Sequence, residues 1–268
     1  MDSKIIKIIL IYFFLFSNAS GTEFKGKFEQ GSFILGKTEP GSKVFVDNRV
    51  VRVSQGGFFV FGLDRDRKND ILIRIIKDKN IKVIEKKVFK RKYKIQRIDG
   101  LPEKKVTPPK EVYDRIKREN KLIGDARSIN SNLSFFKKKF IKPIDNAIVT
   151  GVYGSQRILN GKPKWPHYGI DFAAKEGTKI KAMLDGTVTM VEPDLFYTGG
   201  TLIFDHGHGI STLYMLMKDI YVKKGQKVKQ GEIIGTVGST GRSTGAHLDV
   251  RLNWFGTRLD PATVLKLN

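Results

Sequence analysis

The chain has 268 residues, enough for one large domain or two of ordinary size, and its 40% apolar content supports real cores. Lys and Arg number 49 against 27 Asp and Glu, a formal net charge of +22, which fits either a solvated lysine-rich surface or attraction to a polyanion. Cysteine is absent, which excludes disulfides, Cys-ligated zinc, thiol nucleophiles and a lipoprotein anchor.

Residues 1–19 read as a secretory signal peptide. Lys4 and Lys7 precede a nine-residue apolar run, Ile8 to Phe16, and Ser17-Asn18-Ala19 offers small residues for cleavage after Ala19. The run is too short to cross a bilayer comfortably. The expected location is therefore beyond the inner membrane, in the periplasm or cell envelope, with an uncleaved membrane anchor as the alternative.

Residues 22–98 read as a small all-β domain of six or seven strands, a β-sandwich-like unit. Turn signals at Pro40-Gly41, Asp47-Asn48 and Gly56-Gly57 separate short apolar runs. The stretch carries no His. Between Arg74 and Arg97, eleven basic residues face two acidic ones. A solvated sheet face explains them, or contact with an anionic membrane or wall polymer. Only Phe89 and Tyr93 interleave as aromatics, so a base-stacking surface is not indicated and no nucleic-acid partner is expected.

Residues 99–140 read as a linker with a helix. Gly100-Leu101-Pro102 and Thr107-Pro108-Pro109 break the chain. Thr107 is expected to cap a helix with Pro108 at its first position, and Val112, Ile116 and Ile123 lie near one face. Such a connector could swing free or lie across a neighbour. Residues 141–268 read as a glycine-rich all-β domain. The fold class is thus mainly β: small sandwich, helical connector, glycine-rich β-sheet domain. Gly238 to Gly245 lacks a Lys-Ser/Thr ending and leads into a strand, which argues against a nucleotide site.

Two strands carry the chemistry. In one, His167, Gly169 and Asp171 alternate with Tyr168, Ile170 and Phe172; in the other, His247, Asp249 and Arg251 alternate with Leu248, Val250 and Leu252. Each puts one imidazole and one carboxylate on its polar face, the material of a small divalent-metal site.

Further motifs occur in order: Gly177-Thr178, Asp185-Gly186-Thr187-Val188, Asp205-His206-Gly207-His208-Gly209, Gly225-Gln226, Gln230-Gly231, Ile234-Gly235, Thr244-Gly245 before His247, and Asp260-Pro261. Together with the two strands, they make residues 148–265 resemble the lysostaphin-like, or LytM-type, zinc endopeptidases of bacterial cell walls. The resemblance implies a β-sheet groove, one zinc ion and cleavage of peptidoglycan peptides. Carried over by motif, His167 and Asp171 match metal ligands and His247 a catalytic histidine.

The sequence departs from that pattern twice. The third ligand should be histidine and is Asp249, whose oxygen remains a competent donor and could favour another divalent ion. Where the family has Tyr-x-His-Leu, this chain has Tyr214-Met215-Leu216-Met217, so Leu216 replaces a second catalytic histidine. By alternation, Thr212, Tyr214 and Leu216 are expected to face the site, and Leu213, Met215 and Met217 the core. His206 or His208 could stand in for the missing group. The implied function is an exported peptidoglycan endopeptidase with weakened turnover. The alternative is a catalytically degenerate wall binder that regulates a partner wall hydrolase.

Overall fold

The computed structural model describes residues 21–265, so the signal-peptide expectation for 1–19 lies outside the described residues. In chain order, β1 (Glu23–Lys25), β2 (Phe33–Lys37), β3 (Lys43–Val46), β4 (Arg49–Val51), β5 (Phe58–Gly62), β6 (Ile71–Lys77) and β7 (Asn80–Lys86) build two antiparallel sheets, ordered β1-β2-β5 and β4-β3-β6-β7. Their alternation sets which face is buried. In β6, Ile71, Ile73 and Ile75 are buried while Leu72 and Arg74 are exposed. The buried set shares a core with Ile34, Phe59 and Phe61 from the other sheet. Edge strand β7 is exposed except at Ile84, and Lys82 and Lys86 keep that edge in water, which discourages pairing with another chain.

β8 (Ile95–Ile98) leaves these sheets and pairs in parallel with a later strand. Two helices follow, α1 (Glu103–Val106) and α2 (Tyr113–Arg127). Thr107 does not start a helix. It ends α1, its N–H bonded to the Glu103 carbonyl, and α2 begins after a 3-10 turn at Lys110–Val112 without a side-chain cap. The reason is local: each residue before a proline is pushed out of the helical region, so Thr107-Pro108-Pro109 stays extended.

The remainder holds β9 (Ile148–Gly151), β10 (Gln156–Leu159), β11 (Lys162–Pro163), β12 (Ile170–Ala173), β13 (Lys179–Lys181), β14 (Gly186–Leu195), β15 (Gly199–Gly207), β16 (Ile210–Ile220), β17 (Lys227–Val228), β18 (Ile233–Val237), β19 (His247–Trp254) and β20 (Thr257–Leu259). One ten-stranded sheet runs β17-β14-β15-β16-β19-β12-β9, with β13, β18 and β20 attached beside that path; β8, β10 and β11 make a separate small sheet. The molecule is mainly β, as its alternation and turn residues indicate.

The connector does not swing free. α2 sits on the sheet, where Ile123 and Ala126 meet Met190, Leu195, Ile203, Leu213, Met215 and Leu216. After α2 the chain crosses the β15–β16 turn so closely that a Cβ on Gly207, already at φ +97, would overlap the Leu133 carbonyl. The two β units are also sealed together. A single apolar cluster runs from Phe33 and Phe61 through Phe140 to Leu252 and Leu259. Around it, the Arg65 guanidinium donates twice to the Gly154 carbonyl, at 3.0 and 2.7 Å, and Arg91 pairs with Asp260 at 2.8 Å.

From Thr212 to Met215 the expected facing of β16 is reversed, while Leu216 and Met217 lie where expected, on the groove side and in the core. Thr212 and Tyr214 point into the core: the Thr212 hydroxyl meets His206 at 2.7 Å, and the Tyr214 hydroxyl accepts from the Met183 N–H at 2.7 Å. Leu213 and Met215 line the groove instead. A β-bulge then breaks the period: between the Tyr214–Leu202 and Met217–Gly200 pairs, Met215 and Leu216 oppose the single residue Thr201, and Leu216 adopts φ 66. The extra residue puts Leu216 on the groove side as well, for a different reason than alternation.

Candidate metal centre and its groove

β12 and β19 are antiparallel neighbours, and their register places Asp171 directly opposite Asp249. His167 precedes β12, where its N–H bonds the Ser155 carbonyl at 2.8 Å. Donor atoms of His167, Asp171 and Asp249 all lie within 4.8 Å of one another, and all three residues are buried. Glycines make the approach feasible. A Cβ on Gly151 would overlap Asp171 Oδ2, and one on Gly169 would overlap Asp249 Oδ1. The β12 alternation does not reach back to Tyr168, which lines the cavity rather than the core, because the strand begins only at Ile170.

His247 opens β19. Its Nδ1 lies 2.8 Å from the Gly245 carbonyl, which can only accept, so Nδ1 carries the proton. That leaves Nε2 facing the cluster, 4.0 Å from Asp171 Oδ1. His206 and His208 do not stand in for the missing histidine. The His206 ring is sealed in the core, donating from Nδ1 to the Asp185 carbonyl at 2.7 Å, and His208 packs on Phe136 with ring centroids 4.7 Å apart. The Gly238–Gly245 loop is structural: Thr240 Oγ1 accepts from Gly200 N–H and donates to the Met217 carbonyl, both at 3.0 Å.

The donor set suits a divalent cation. His167 Nε2 and Asp171 Oδ1 are 3.1 Å apart, and both these atoms and His167 Nδ1 are shut off from solvent without an aligned hydrogen-bond partner. Buried polar atoms are ordinarily satisfied, and a bound cation would satisfy the two that converge. One imidazole nitrogen and two carboxylate oxygens are ordinary ligands for zinc and for harder ions.

Arginines temper that fit, and no sequence motif marks a role for them at the site. Arg157 Nη2 holds Asp171 Oδ2 at 3.0 Å, braced by Gln96 of β8 at 3.3 Å. Arg251 Nη2 holds Asp249 Oδ2 at 2.9 Å. Burial alone would push the Asp171 carboxyl up; neighbouring His167, Arg157 and His247 outweigh it and hold it at about 2. The Asp171 carboxylate is thus ionised and ready to ligate, but it and Asp249 are each paired with a guanidinium. The one sequence signal was Arg251, which falls on the same strand face as His247 and Asp249.

Asp171, His247 and Asp249 stand in the wall of a cavity of about 780 Å³, with His167 buried behind them, and the other lining includes Trp165, Tyr168, Tyr197, Leu216 and, from α2, Asn120, Ile123 and Arg127. A second hollow of about 310 Å³ adjoins it across Asp171 and His247. Together they form a groove that passes the candidate centre, with α2 as one wall.

Residues 165–261 match the model of Peptidase family M23. Those residues form an M23, LytM-type, domain. The M23 domain is 41% identical over 103 residues to the peptidoglycan DD-endopeptidase ShyA of Vibrio cholerae, covering 38% of this chain and 23% of that protein. It is 40% identical over 98 residues to the DD-carboxypeptidase/endopeptidase Mpg of Neisseria meningitidis, covering 37% and 22%. The matched segment therefore spans under a quarter of either relative. A solved structure of a candidate peptidase M23 from Pseudomonas aeruginosa superposes with a TM-score of 0.71 at 26% identity, covering 89% of this chain and 95% of that one. That likeness extends beyond the M23 domain to the strands before it.

Proposed function

We propose that this chain acts on the peptides of peptidoglycan in the cell envelope, as a metal-dependent M23-type endopeptidase of weakened turnover. The observation that carries this reading is the convergence of His167, Asp171 and Asp249, with Asp171, Asp249 and His247 on the wall of a groove. The M23 relatives named for peptidoglycan cleavage support the substrate class, and the basic, apolar start of the chain supports export. His167, Asp171 and Asp249 would hold one divalent ion, zinc or a harder substitute, which supplies Lewis acidity when bound. His247 offers Nε2 toward the same point and would hold or pass a proton there.

The weakness lies opposite. Leu216 occupies the groove side with no titratable atom, and losing one general acid or base lowers rate by about 10² to 10⁴. Leu216→His is the informative change. Its backbone sits at φ 66, a region where histidine is found several times more often than most residues. The expected outcome is near-stoichiometric divalent metal in the wild type by elemental analysis, slow release of peptides from purified sacculi, and about 10²-fold or more faster release by Leu216→His. A protein that takes up no metal on titration defeats the reading.

A second reading is a non-catalytic wall binder that regulates a partner hydrolase. The arginine pairing of both candidate carboxylates favours it. Metal uptake with no gain of cleavage in Leu216→His, alongside retained binding of wall peptides, selects it.

A further inference from the structure

The cavity beside the candidate centre is far more cationic than a metal site needs. Its charged lining comprises Arg127, Arg157, Lys164, Arg242, Arg251 and Arg258 against only Asp171 and Asp249. Arg157 and Arg251 are answered by those two aspartates. Arg127, Lys164 and Arg258 pair with no carboxylate among the described residues. A bound divalent ion would add to this excess rather than relieve it.

Their placement is built rather than incidental. The Arg127 guanidinium is fixed by donating to the Phe255 and Gly256 carbonyls at 3.2 and 3.0 Å, yet its Nε is buried without a partner. Arg258 lies 4.4 Å over the Tyr168 ring and Arg242 lies 4.6 Å over the Tyr197 ring, so aromatic faces hold both planes. The like charges repel. Burial first, then Arg258 and Arg251, draw the Arg127 pKa down to about 10. Arg127 and Arg258 line one cavity without a carboxylate partner, and the planar donor fork of a guanidinium matches a carboxylate bidentately.

We propose that the groove is a receptor for a short peptide bearing free carboxylates, its acid groups taken by Arg127 and Arg258 and its backbone lying along the aromatic and apolar wall of Trp165, Tyr168 and Met215. This rests on the peptidoglycan reading for the identity of the peptide and deepens it: the ligand is a stem peptide with an open, uncapped acid end. A peptide is favoured over a phosphate polymer because the wall between the arginines is aromatic and aliphatic, and Trp165 is 81% exposed and available to cover side chains.

The test is calorimetric titration of the full chain with four probes: a synthetic wall stem peptide with a free C-terminal carboxylate, the same peptide as its C-terminal amide, tri-glutamate, and inorganic phosphate. The expected result is at least tenfold tighter binding of the acid than the amide, with that difference abolished in Arg258→Gln and retained in Lys82→Gln on the remote edge strand. Unchanged thermal unfolding certifies the fold of Arg258→Gln; should it unfold, Arg258→Lys, which keeps charge but not the fork, takes its place with a smaller loss expected. Equal binding of acid and amide overturns the carboxylate receptor while leaving the peptidoglycan reading standing. Binding of tri-glutamate without either wall peptide upholds the receptor and overturns the peptidoglycan reading. Phosphate binding as tight as the acid peptide overturns the choice of carboxylate, and no binding of any probe overturns both.

Discussion

At the scale of single residues, the groove depends on a few exchanges whose effects are opposite in kind. Asp249 offers a carboxylate oxygen where the family resemblance implies an imidazole nitrogen, so a donor atom remains at that position. Leu216 does not preserve chemistry: it puts a side chain with no titratable atom on a bulged backbone at φ 66. His206 shows a third case, a histidine spent on architecture. It is fully buried, and burial, opposed by its bond to the Asp185 carbonyl, pushes its pKa down to about 4. In the unfolded chain the ring titrates near its ordinary value of about 6.5. Above that value both states are neutral and the ring's contribution is complete. As pH falls from about 6.5 toward 4, the unfolded state binds a proton that the folded state refuses. Stability should therefore drop by up to about 1.4 kcal/mol per pH unit from this ring. His208, also brought down to about 4 by burial and then Arg52, adds in the same direction. Thermal melts between pH 7 and 4 check this; a melting temperature that stays level across that window contradicts it.

At the scale of elements, α2 is the piece whose place could not be read locally. Its apolar residues were legible at helical spacing, and its charged outer face was evident. What it covers follows from β14 to β16, far away in sequence, which offer Met190, Leu195 and Leu213 as the matching surface. α2 also pins the β14–β15 turn, since Glu119 accepts from Arg115 at 2.6 Å and from the Phe196 N–H at 2.8 Å. Ile123→Asp should insert a charge into that contact. We expect a loss of about 1–3 kcal/mol in denaturant stability, and faster proteolysis between residues 107 and 134 than in the wild type. Proteolysis at the wild-type rate would show that α2 is not held by this face. The β16 bulge belongs to this scale too. Strict alternation assigned Tyr214 to the groove, but pairing with β15 and the extra residue before Met217 decided otherwise.

At the scale of the whole molecule, the N-terminal sheets and the M23 domain share one apolar core, so neither surface is finished without the other. Gly62 lies so close to Leu259 that a Cβ there would overlap its side chain, and the Arg91–Asp260 pair bridges the same seam. Calorimetry of the full chain should accordingly show one cooperative transition, with the fitted van't Hoff enthalpy equal to the measured one. Two resolved transitions would mean that the shared core is weaker than its continuity indicates. β8 adds a second tie. It reaches from the N-terminal half to β10 and supplies Gln96 to brace Arg157, so a residue outside the M23 segment helps position a group on Asp171.

The sequence by itself determined the strand-rich class, the polar faces that carry His167, Asp171, His247 and Asp249, and the M23 resemblance. All of these are written in short-range spacing, where period-2 alternation and glycine turns leave few choices. Only the tertiary structure decided the register that sets Asp171 opposite Asp249, the bulge at Leu216, the burial of His206, and the ring of arginines around the groove. Arg127, Arg157, Arg242 and Arg258 come from separate stretches of chain with no common period. Their convergence depends on strand pairing and on where α2 comes to rest, and those are settled by long-range packing rather than by any local pattern.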